Sequence, residues 1–281
     1  MEHITSLKNP KVAAWKALKD RKGRRESGCF LVEGRKMVEE ALASAFDVET
    51  VLVQEGVAFP DGRTMPVYEL PEHVLTAVCD TKTPQGIAAV VRMKEKSALG
   101  KHIVVLDGVQ DPGNVGTIIR TADAAGLDGV LLSNQCADVF SPKVLRATMG
   151  SIFRMNLRTT DDLPGELTKL REKGYSILSS QLDGTPFYER QGVAERFALI
   201  IGNEGNGVSE QVQQTATHRV RLPMRGGAES LNAAIAAAIG KPLFTISPRC
   251  SLQIVIVLIP IVSSRKSDFT RKYAVSTTRT I

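Results

Sequence analysis

The sequence contains little cysteine, and its cysteines lack the spacing of a metal site or a disulfide framework. Only four occur among 281 residues, at Cys29, Cys79, Cys136 and Cys250. They form no C-x-x-C pair, and no histidine lies close enough in sequence to complete a zinc site. Neither a disulfide-stabilised secreted scaffold nor a structural metal is indicated, so we expect a cytoplasmic protein without a metal.

The sequence also lacks a segment suited to a membrane. Residues 1–20 contain no apolar h-region of the kind found in secretory signals. The longest apolar run, residues 252–262, is about half as long as a bilayer-spanning helix requires and contains Pro260. We therefore expect no membrane span.

A strong charge of one sign is absent from most of the chain. The sequence has 36 Lys and Arg against 30 Asp and Glu, and its net charge of +6 comes from the two ends around an acidic body. Residues 1–36 carry ten basic and four acidic side chains. This segment is either a solvated amphipathic arm or an arm that contacts nucleic-acid phosphates, and composition leaves both open. The candidate phosphate contacts are Lys8, Lys11, Arg21, Lys22, Arg24 and Arg25.

The length predicts about two domains. The first is a small α/β unit, followed by a polar stretch typical of a linker. From residue 102 onward, apolar strands alternate with helices, which predicts a mainly parallel sheet with helices on both faces. The predicted organisation is a basic arm (1–26), an α/β domain (27–95), a linker (96–101), a parallel-sheet domain (102–239) and a tail (240–281).

Three loops after predicted strands of the second domain carry polar and glycine residues. The carboxyl ends of parallel strands meet at one edge of a sheet, where ligands bind. Each polar residue taken alone has a plain explanation as a helix cap, an exposed helix charge or a solvated loop side chain. Their convergence on one edge favours a functional site. These residues are Asn114 and Arg120 after the first strand, Glu204 in the second loop, and Ser230 and Asn232 in the third.

The glycines of the second loop do not follow a nucleotide-binding motif. Gly202, Gly205 and Gly207 give G-x-x-G-x-G rather than G-x-G-x-x-G, and no P-loop Lys-Ser/Thr follows. Glu204 would repel a phosphate and suits a cationic or hydroxyl-bearing ligand better. A nucleotide-binding oxidoreductase is therefore disfavoured.

Together the three loops resemble the sequence motifs of the SpoU (TrmH) family of RNA ribose 2′-O-methyltransferases, in the SPOUT superfamily. The matching segments are N-x-G-x-x-x-R-T-A-x-A-x-G from Asn114, G-N-E-G-x-G from Gly202, and P-M followed by S-L-N from Pro223. Each motif is weak alone, but the set in this order is highly specific. The resemblance covers residues 102–239, and residues 27–92 look like the substrate-binding domain that many members carry.

The resemblance implies an S-adenosyl-L-methionine-dependent enzyme that methylates RNA, with ribosomal RNA favoured over transfer RNA. The implied fold is a small N-terminal α/β RNA-binding domain followed by a SPOUT-type parallel-sheet domain with a trefoil knot, which general topology rules would not suggest. The implied assembly is a homodimer through the methyltransferase domain. The implied cofactor-binding positions are Gly202, Leu222 and Leu231, with Leu178 and Ser180 at a nearby strand end.

The same resemblance assigns catalytic roles to five polar residues. A positive group beside the developing 2′-alkoxide is valuable, and Arg120 is expected to supply it, because a guanidinium stays protonated and is a poor general base. Asn114 would orient the arginine or the ribose. Glu204 would fix the arginine through a charge-assisted pair or assist proton removal. Ser230 and Asn232 would hydrogen-bond the RNA or the cofactor.

Two features of the sequence keep a second hypothesis open. The helix that begins at Ser230 meets Gly240 and Pro242, whereas family members continue it, and a proline inside a helix costs about 3 kcal/mol or more. The composition then changes abruptly, so residues 240–281 are interpreted as an atypical tail, disordered or produced by a shifted reading frame. The alternative function is a non-catalytic RNA-binding protein with a degenerate methyltransferase domain.

Overall fold

Two β-sheets organise the chain in a computed structural model, which describes residues 2–59, 65–94 and 98–221. The first sheet has the strand order β1-β4-β3-β5-β2 and mixes parallel and antiparallel pairs. Its strands are β1 (Glu2–His3), β2 (Cys29–Glu33), β3 (Val48–Gln54), β4 (Val67–Leu70) and β5 (Ile87–Arg92). Its helices are α1 (Pro10–Ala17), α2 (Arg21–Ser27), α3 (Arg35–Ala43) and α4 (Glu72–Val78).

Within the described residues, the second sheet has six strands in the order β11-β9-β10-β6-β7-β8, all paired in parallel. This agrees with the predicted mainly parallel sheet. Its strands are β6 (His102–Asp107), β7 (Gly129–Ser133), β8 (Asn156–Thr160), β9 (Ser176–Pro186), β10 (Phe197–Gly202) and β11 (His218–Arg221). The helices are α5 (Pro112–Ala124), α6 (Pro142–Thr148), α7 (Leu163–Glu172) and α8 (Glu210–Gln213), with short 3-10 turns at Ser151–Phe153 and Phe187–Glu189.

Helices cover both faces of this parallel sheet. Successive residues of a strand point to opposite faces, and Val104 and Ile103 of β6 accordingly belong to two different apolar clusters. The Val104 side packs on α5 and α6, and the Ile103 side packs on α7 and α8. Burial on both faces explains why these strands are continuous apolar runs.

The basic N-terminal segment is not a separate arm, which corrects the predicted division at residue 26. Strand β1 pairs with β4, and α1 packs against α4 under the first sheet. Val12, Trp15 and Leu18 are buried there, with Trp15 against Tyr68 at a ring-centroid distance of 5.2 Å. Residues 2–27 therefore belong to the same folded unit as the first sheet.

Aromatic and ionic contacts join the two sheets. Phe30 of β2 lies 4.8 Å from Phe140, centroid to centroid, and Phe46 lies 5.4 Å from Phe153. Three ion pairs also join a residue of the first sheet's unit to one of the second: Arg24 with Asp138, Glu40 with Arg154, and Asp80 with Arg146. The position of the N-terminal unit on the parallel sheet is thus fixed by specific contacts.

Arg24 is the most buried of these charges, with only 3% of its side chain exposed. Its Nη2 donates to Asp138 Oδ2 at 2.6 Å, and its Nη1 donates to the carbonyl oxygens of Leu18 and Lys19. Each acceptor would lose its partner if the guanidinium were removed.

We expect Arg24→Ala to lower the free energy of unfolding by about 3–5 kcal/mol, because it leaves a carboxylate unpaired near the core. Urea unfolding monitored by circular dichroism measures the change. Lys22→Ala is the matched control on the same helix: its pair with Glu26 is long at 3.8 Å and well exposed, so its loss should cost less than about 1 kcal/mol. Equal small losses in both variants would contradict a stabilising role for Arg24.

The cysteines of the described residues are free thiols. Cys29, Cys79 and Cys136 are all buried. Burial raises the pKa of Cys29 to about 11 and that of Cys79 to about 12, so both thiols stay protonated. Within the described ranges, no helix has the length and hydrophobicity to cross a bilayer, and no three His, Cys, Asp or Glu side chains gather as a metal site.

Several predictions lie outside the described residues. They include the helix predicted to follow the S-L-N motif, the trefoil knot, the tail at 240–281, and the site residues Leu222, Ser230, Leu231 and Asn232.

Candidate active site at the carboxyl edge of the parallel sheet

The order of the parallel strands creates a crevice between β6 and β10. After β6, the next strands in sequence, β7 and β8, lie on one side of it in the sheet. After β10, the next strand, β11, lies on the opposite side. β6 and β10 are neighbours, with Asp107 in register with Gly202 at their carboxyl ends. Loops that leave adjacent strands in opposite directions open the crevice in which parallel sheets bind ligands.

Asn203 shapes the loop after β10 and attaches it to the end of β6. Its Oδ1 accepts from the backbone N–H groups of Gly205 and Asn206, at 2.9 and 3.0 Å. Its Nδ2 donates to the carbonyl oxygen of Gly108 at 2.7 Å. The backbone of Asn203 also exchanges two hydrogen bonds with that of Gly207. The sequence analysis did not single out this residue, although it lies within the G-N-E-G motif.

Gly202 occupies a position that only glycine fits. A Cβ atom there would lie 2.2 Å from the carbonyl carbon of Gly207 and 2.3 Å from the backbone nitrogen of Val208. Gly207 has a φ of +68°, in the left-handed region that favours glycine. The loop therefore folds back tightly over the end of β10, where the family resemblance implies a backbone that binds the cofactor.

Asn114 and Glu204 are brought together across the crevice. Asn114 Nδ2 donates to Glu204 Oε1 at 2.8 Å, although 90 residues separate them in sequence. Asn114 is not the helix cap that its sequence position suggests: Asp111 caps α5 by accepting from the Asn114 backbone N–H at 2.7 Å. This leaves the Asn114 amide available to Glu204, and the two loops meet through side chains.

We expect Asn114→Ala and Glu204→Ala to act on activity as a coupled pair. Each single variant removes the hydrogen bond between the two loops, so the double variant should lose much less than the combined single losses. The coupling free energy, obtained from kcat/KM of the four proteins, should fall between about 0.5 and 3 kcal/mol. Additive losses would contradict a shared function of the two side chains.

Arg120 lies on α5, eight residues after Pro112, with its side chain exposed. Among the described residues it has no hydrogen-bond or ion-pair partner. Six residues separate it from Asn114, about 9 Å along the helix axis and one third of a turn around it. Glu204 bonds to Asn114 rather than to Arg120. The predicted charge-assisted pair between Glu204 and Arg120 is therefore not formed here.

Strand β9 lies beside β10, on the side away from β6. Its pairing with β11 jumps from Ser179 to Thr185, so the residues between bulge out of the ladder. Ser180 is half-buried at the start of this bulge. Leu178 is fully buried, so its side chain packs in the core and only its backbone is left for a ligand. Gly184 lets β11 approach, since a Cβ there would lie 2.6 Å from the Val220 nitrogen.

Of the six predicted phosphate contacts, four are exposed side chains and two are bonded to other residues of the protein. Lys8, Arg21, Lys22 and Arg25 are exposed. Lys11 Nζ donates to Tyr68 Oη at 2.8 Å and pairs with Glu2, and these contacts, with Tyr68 first, raise the pKa of Lys11. Arg24 is buried against Asp138, which corrects its assignment as an RNA contact.

The fold and the site define an α/β enzyme domain packed against a second α/β unit. Its ligand site lies at the switch point of the parallel sheet, where the neighbouring strands β6 and β10 lead to opposite sides. Residues 101–240 match the SpoU rRNA Methylase family, and residues 9–89 match the MRM3-like substrate binding domain. The chain belongs to the SpoU rRNA methylase family.

Individual relatives agree with this membership over most of the chain. The chain is 42% identical over 242 residues to the 23S rRNA (guanosine(2553)-2′-O)-methyltransferase RlmP of Bacillus subtilis, covering 85% of this chain and 97% of that protein. The AdoMet-bound rRNA methyltransferase from Sinorhizobium meliloti is 31% identical, with a TM-score of 0.78 over 86% of this chain and 97% of that one. The SpoU methyltransferase AviRb from Streptomyces viridochromogenes, also in complex with AdoMet, is 27% identical, with a TM-score of 0.74 over 84% and 97%.

Proposed function

We propose that the protein is an S-adenosyl-L-methionine-dependent methyltransferase that methylates a ribose 2′-hydroxyl in ribosomal RNA, with 23S rRNA as the substrate. The observation that carries this proposal is the contact between Asn114 and Glu204 at the switch point of the parallel sheet. It joins two motifs of the family at the place where such a sheet binds its ligand.

The residues at this edge suit the cofactor in their chemistry. Glu204 carries a negative charge, and Asn114 and Asn203 are neutral, so the crevice favours a cation over a phosphate. S-adenosyl-L-methionine, when bound, supplies a methyl group on a positively charged sulfur. We propose that Gly202 and the strand end at Leu178 and Ser180 hold the cofactor, together with Leu222 and Leu231 by motif correspondence.

Each polar residue has a proposed part in methyl transfer. Arg120 stabilises the negative charge that develops on the 2′-oxygen. Asn114 and Glu204 fix the relative position of the two loops that bound the reacting groups, which supplies orientation. Ser230 and Asn232 hydrogen-bond the RNA or the cofactor.

We further propose a cytoplasmic homodimer that joins through the methyltransferase domain. Residues 2–92 would act as one RNA-binding unit, with Lys8, Lys11, Arg21, Lys22 and Arg25 as its phosphate contacts. Deleting residues 1–26 would remove the packed Val12, Trp15 and Leu18 together with the charges. Substitutions of single basic residues therefore test RNA binding better than a deletion.

Two measurements test the proposed function. Calorimetry should detect S-adenosyl-L-methionine binding, and incubation with total ribosomal and transfer RNA, followed by mapping of the methylated nucleotide, should identify a 2′-O-methyl group in 23S rRNA. RNA binding without cofactor binding would instead support the alternative of a non-catalytic RNA-binding protein.

The tail is the remaining departure from the family. The family match ends at residue 240, where the composition of the sequence changes. We propose that residues 240–281 derive from a shifted reading frame. Resequencing the coding region tests this, and a close homologue with the same terminal segment would overturn it.

A further inference from the structure

We propose that a cleft between α2 and the carboxyl ends of β7 and β8 binds phosphates of the RNA strand that flanks the target nucleotide. The inference rests on the proposed RNA methyltransferase function and names where the substrate strand runs. Arg21 and Arg25 form one wall of the cleft. Ser133, Asn134 and Thr159 form the opposite wall, and Met93 also lines it.

The two arginines act from the same face of one helix. They are four residues apart on α2, so their side chains lie one turn apart on a single face. Both are exposed, and neither makes a hydrogen bond or an ion pair with a residue that the structure describes. A pair of guanidinium groups with this spacing presents several N–H donors to neighbouring phosphate oxygens.

The acidic residue of the cleft is already neutralised. Asp138 lines it, but its Oδ2 accepts from Arg24 at 2.6 Å and its Oδ1 accepts from the Phe140 backbone N–H at 3.0 Å. The nearby carboxylate of Asp161 accepts from Asn134 Nδ2 at 2.7 Å. Asp161 keeps its own charge, because the Asn134 amide is a neutral donor. Neither Arg21 nor Arg25 pairs with it or with another carboxylate that the structure describes, so both guanidinium charges are open to an anion from outside the protein.

The position of α2 is fixed rather than adaptable. Buried Arg24, on the same helix, anchors it to Asp138 of the parallel-sheet unit. A Cβ on Gly23 would lie 2.1 Å from the Ala17 carbonyl oxygen, so α1 and α2 are in close contact at this glycine. The cleft is thus formed in the free protein, which limits the entropy lost on binding.

Hydrogen bonds link one wall of the cleft to the candidate active site. Ser133 Oγ, on its wall, accepts from the Gly108 backbone N–H at 3.0 Å, and the Gly108 carbonyl accepts from Asn203 in the loop that carries Glu204. Strand β7 is two strands from β10, about 10 Å at the usual strand spacing. One RNA strand can therefore occupy both sites at once.

The test compares salt dependence of RNA binding for the full-length wild type and the double variant Arg21→Gln/Arg25→Gln. The probe is a transcript of the 23S rRNA segment around guanosine 2553, the nucleotide named for the Bacillus subtilis relative. For single-stranded RNA, the loss of two phosphate contacts should flatten the slope of log K for RNA binding against log salt concentration by about 1.4. KM for the RNA should rise, while kcat and the cofactor Kd stay near wild type.

Two matched variants control for charge and geometry. Arg171→Gln/Lys173→Gln removes the same charge at and just beyond the exposed end of α7 and should keep the wild-type slope. Arg21→Lys/Arg25→Lys keeps the charge and should restore most of the slope. Inorganic phosphate at matched ionic strength should displace little RNA, because the site takes phosphates held along a strand.

The outcomes separate this proposal from the proposed function. If the glutamine variant keeps the wild-type slope, the cleft is not an RNA site, and a protein partner becomes the alternative occupant. A wild-type protein that binds no RNA would also overturn the proposal. RNA binding with the expected slope change but no methylated ribose supports the cleft and refutes the proposed activity instead.

Discussion

Replacing Arg120 with alanine should abolish most methyl transfer while leaving the fold and cofactor binding intact. The side chain is exposed on α5 and has no partner among the described residues, so its removal breaks no structural contact there. The 2′-hydroxyl is a very weak acid, and the loss of a positive group beside the developing oxyanion typically costs about 100- to 1,000-fold in kcat. Single-turnover methylation of the mapped rRNA measures the loss, and calorimetry measures cofactor affinity.

The pH dependence of turnover shows whether Arg120 stabilises charge or removes the proton. A guanidinium does not titrate in the working range, so the low activity of Arg120→Ala should keep the pH profile of the wild type. Arg120→Lys keeps a positive charge and should recover part of the rate. Arg171→Ala, an exposed helical arginine elsewhere, should leave turnover unchanged. Wild-type turnover in Arg120→Ala would remove Arg120 from the mechanism.

The fold of the second domain could be predicted because its strands are buried on both faces. The run HIVVLD of β6 is apolar over nearly its whole length, and the alternation with helices fixes the class of sheet. The polar sequence of β9 beyond Ser180 carries no such signal, and Gly184 leaves room there for the backbone of β11. Pro112 begins α5, at the first helical position that proline suits.

Charge misled the interpretation of the N-terminal segment. Its many lysines and arginines suggested a free arm, yet Val12, Trp15 and Leu18 recur every three residues and form the buried stripe of a packed helix. That apolar spacing was the available signal. The burial of Arg24 could not be predicted locally, because its partner Asp138 lies 114 residues away.

The candidate site was predictable as a set of loops but not as a set of contacts. The motifs identified Asn114 and Glu204, and the parallel topology placed their loops at one edge. The hydrogen bond between them, and the attachment of Asn203 to Gly108, depend on the order of β6 and β10 in the sheet. Arg120 remains a prediction that only kinetics can test.

Gly202→Ala should weaken cofactor binding and destabilise the protein. Alanine variants of the three loop glycines, compared with one another, test this prediction. The new Cβ would meet backbone atoms of Gly207 and Val208 at 2.2–2.4 Å, and backbone cannot rotate away as a flexible side chain can. The loop after β10 must therefore shift away from the crevice. Overpacking of this kind usually costs about 1–3 kcal/mol in the free energy of unfolding.

The neighbouring glycines separate this steric effect from a general sensitivity of the loop. At Gly205 the nearest atom to an added Cβ is Asn203 Oδ1 at 3.6 Å, an ordinary contact, so Gly205→Ala should bind the cofactor like the wild type. At Gly207 nothing lies within 4 Å, but its φ of +68° makes alanine costly by about 1 kcal/mol. We therefore expect the order Gly205→Ala, Gly207→Ala, Gly202→Ala in increasing loss.

Urea unfolding with and without S-adenosyl-L-methionine measures both effects in one experiment. A ligand that binds only the folded protein stabilises it by an amount set by its concentration and its Kd. The cofactor should stabilise Gly205→Ala as much as the wild type, and Gly202→Ala much less, because a loop displaced at the end of β10 no longer offers its backbone to the ligand. Equal stabilisation of all the variants would place the cofactor away from Gly202, and with it the proposed binding role of this loop would fail.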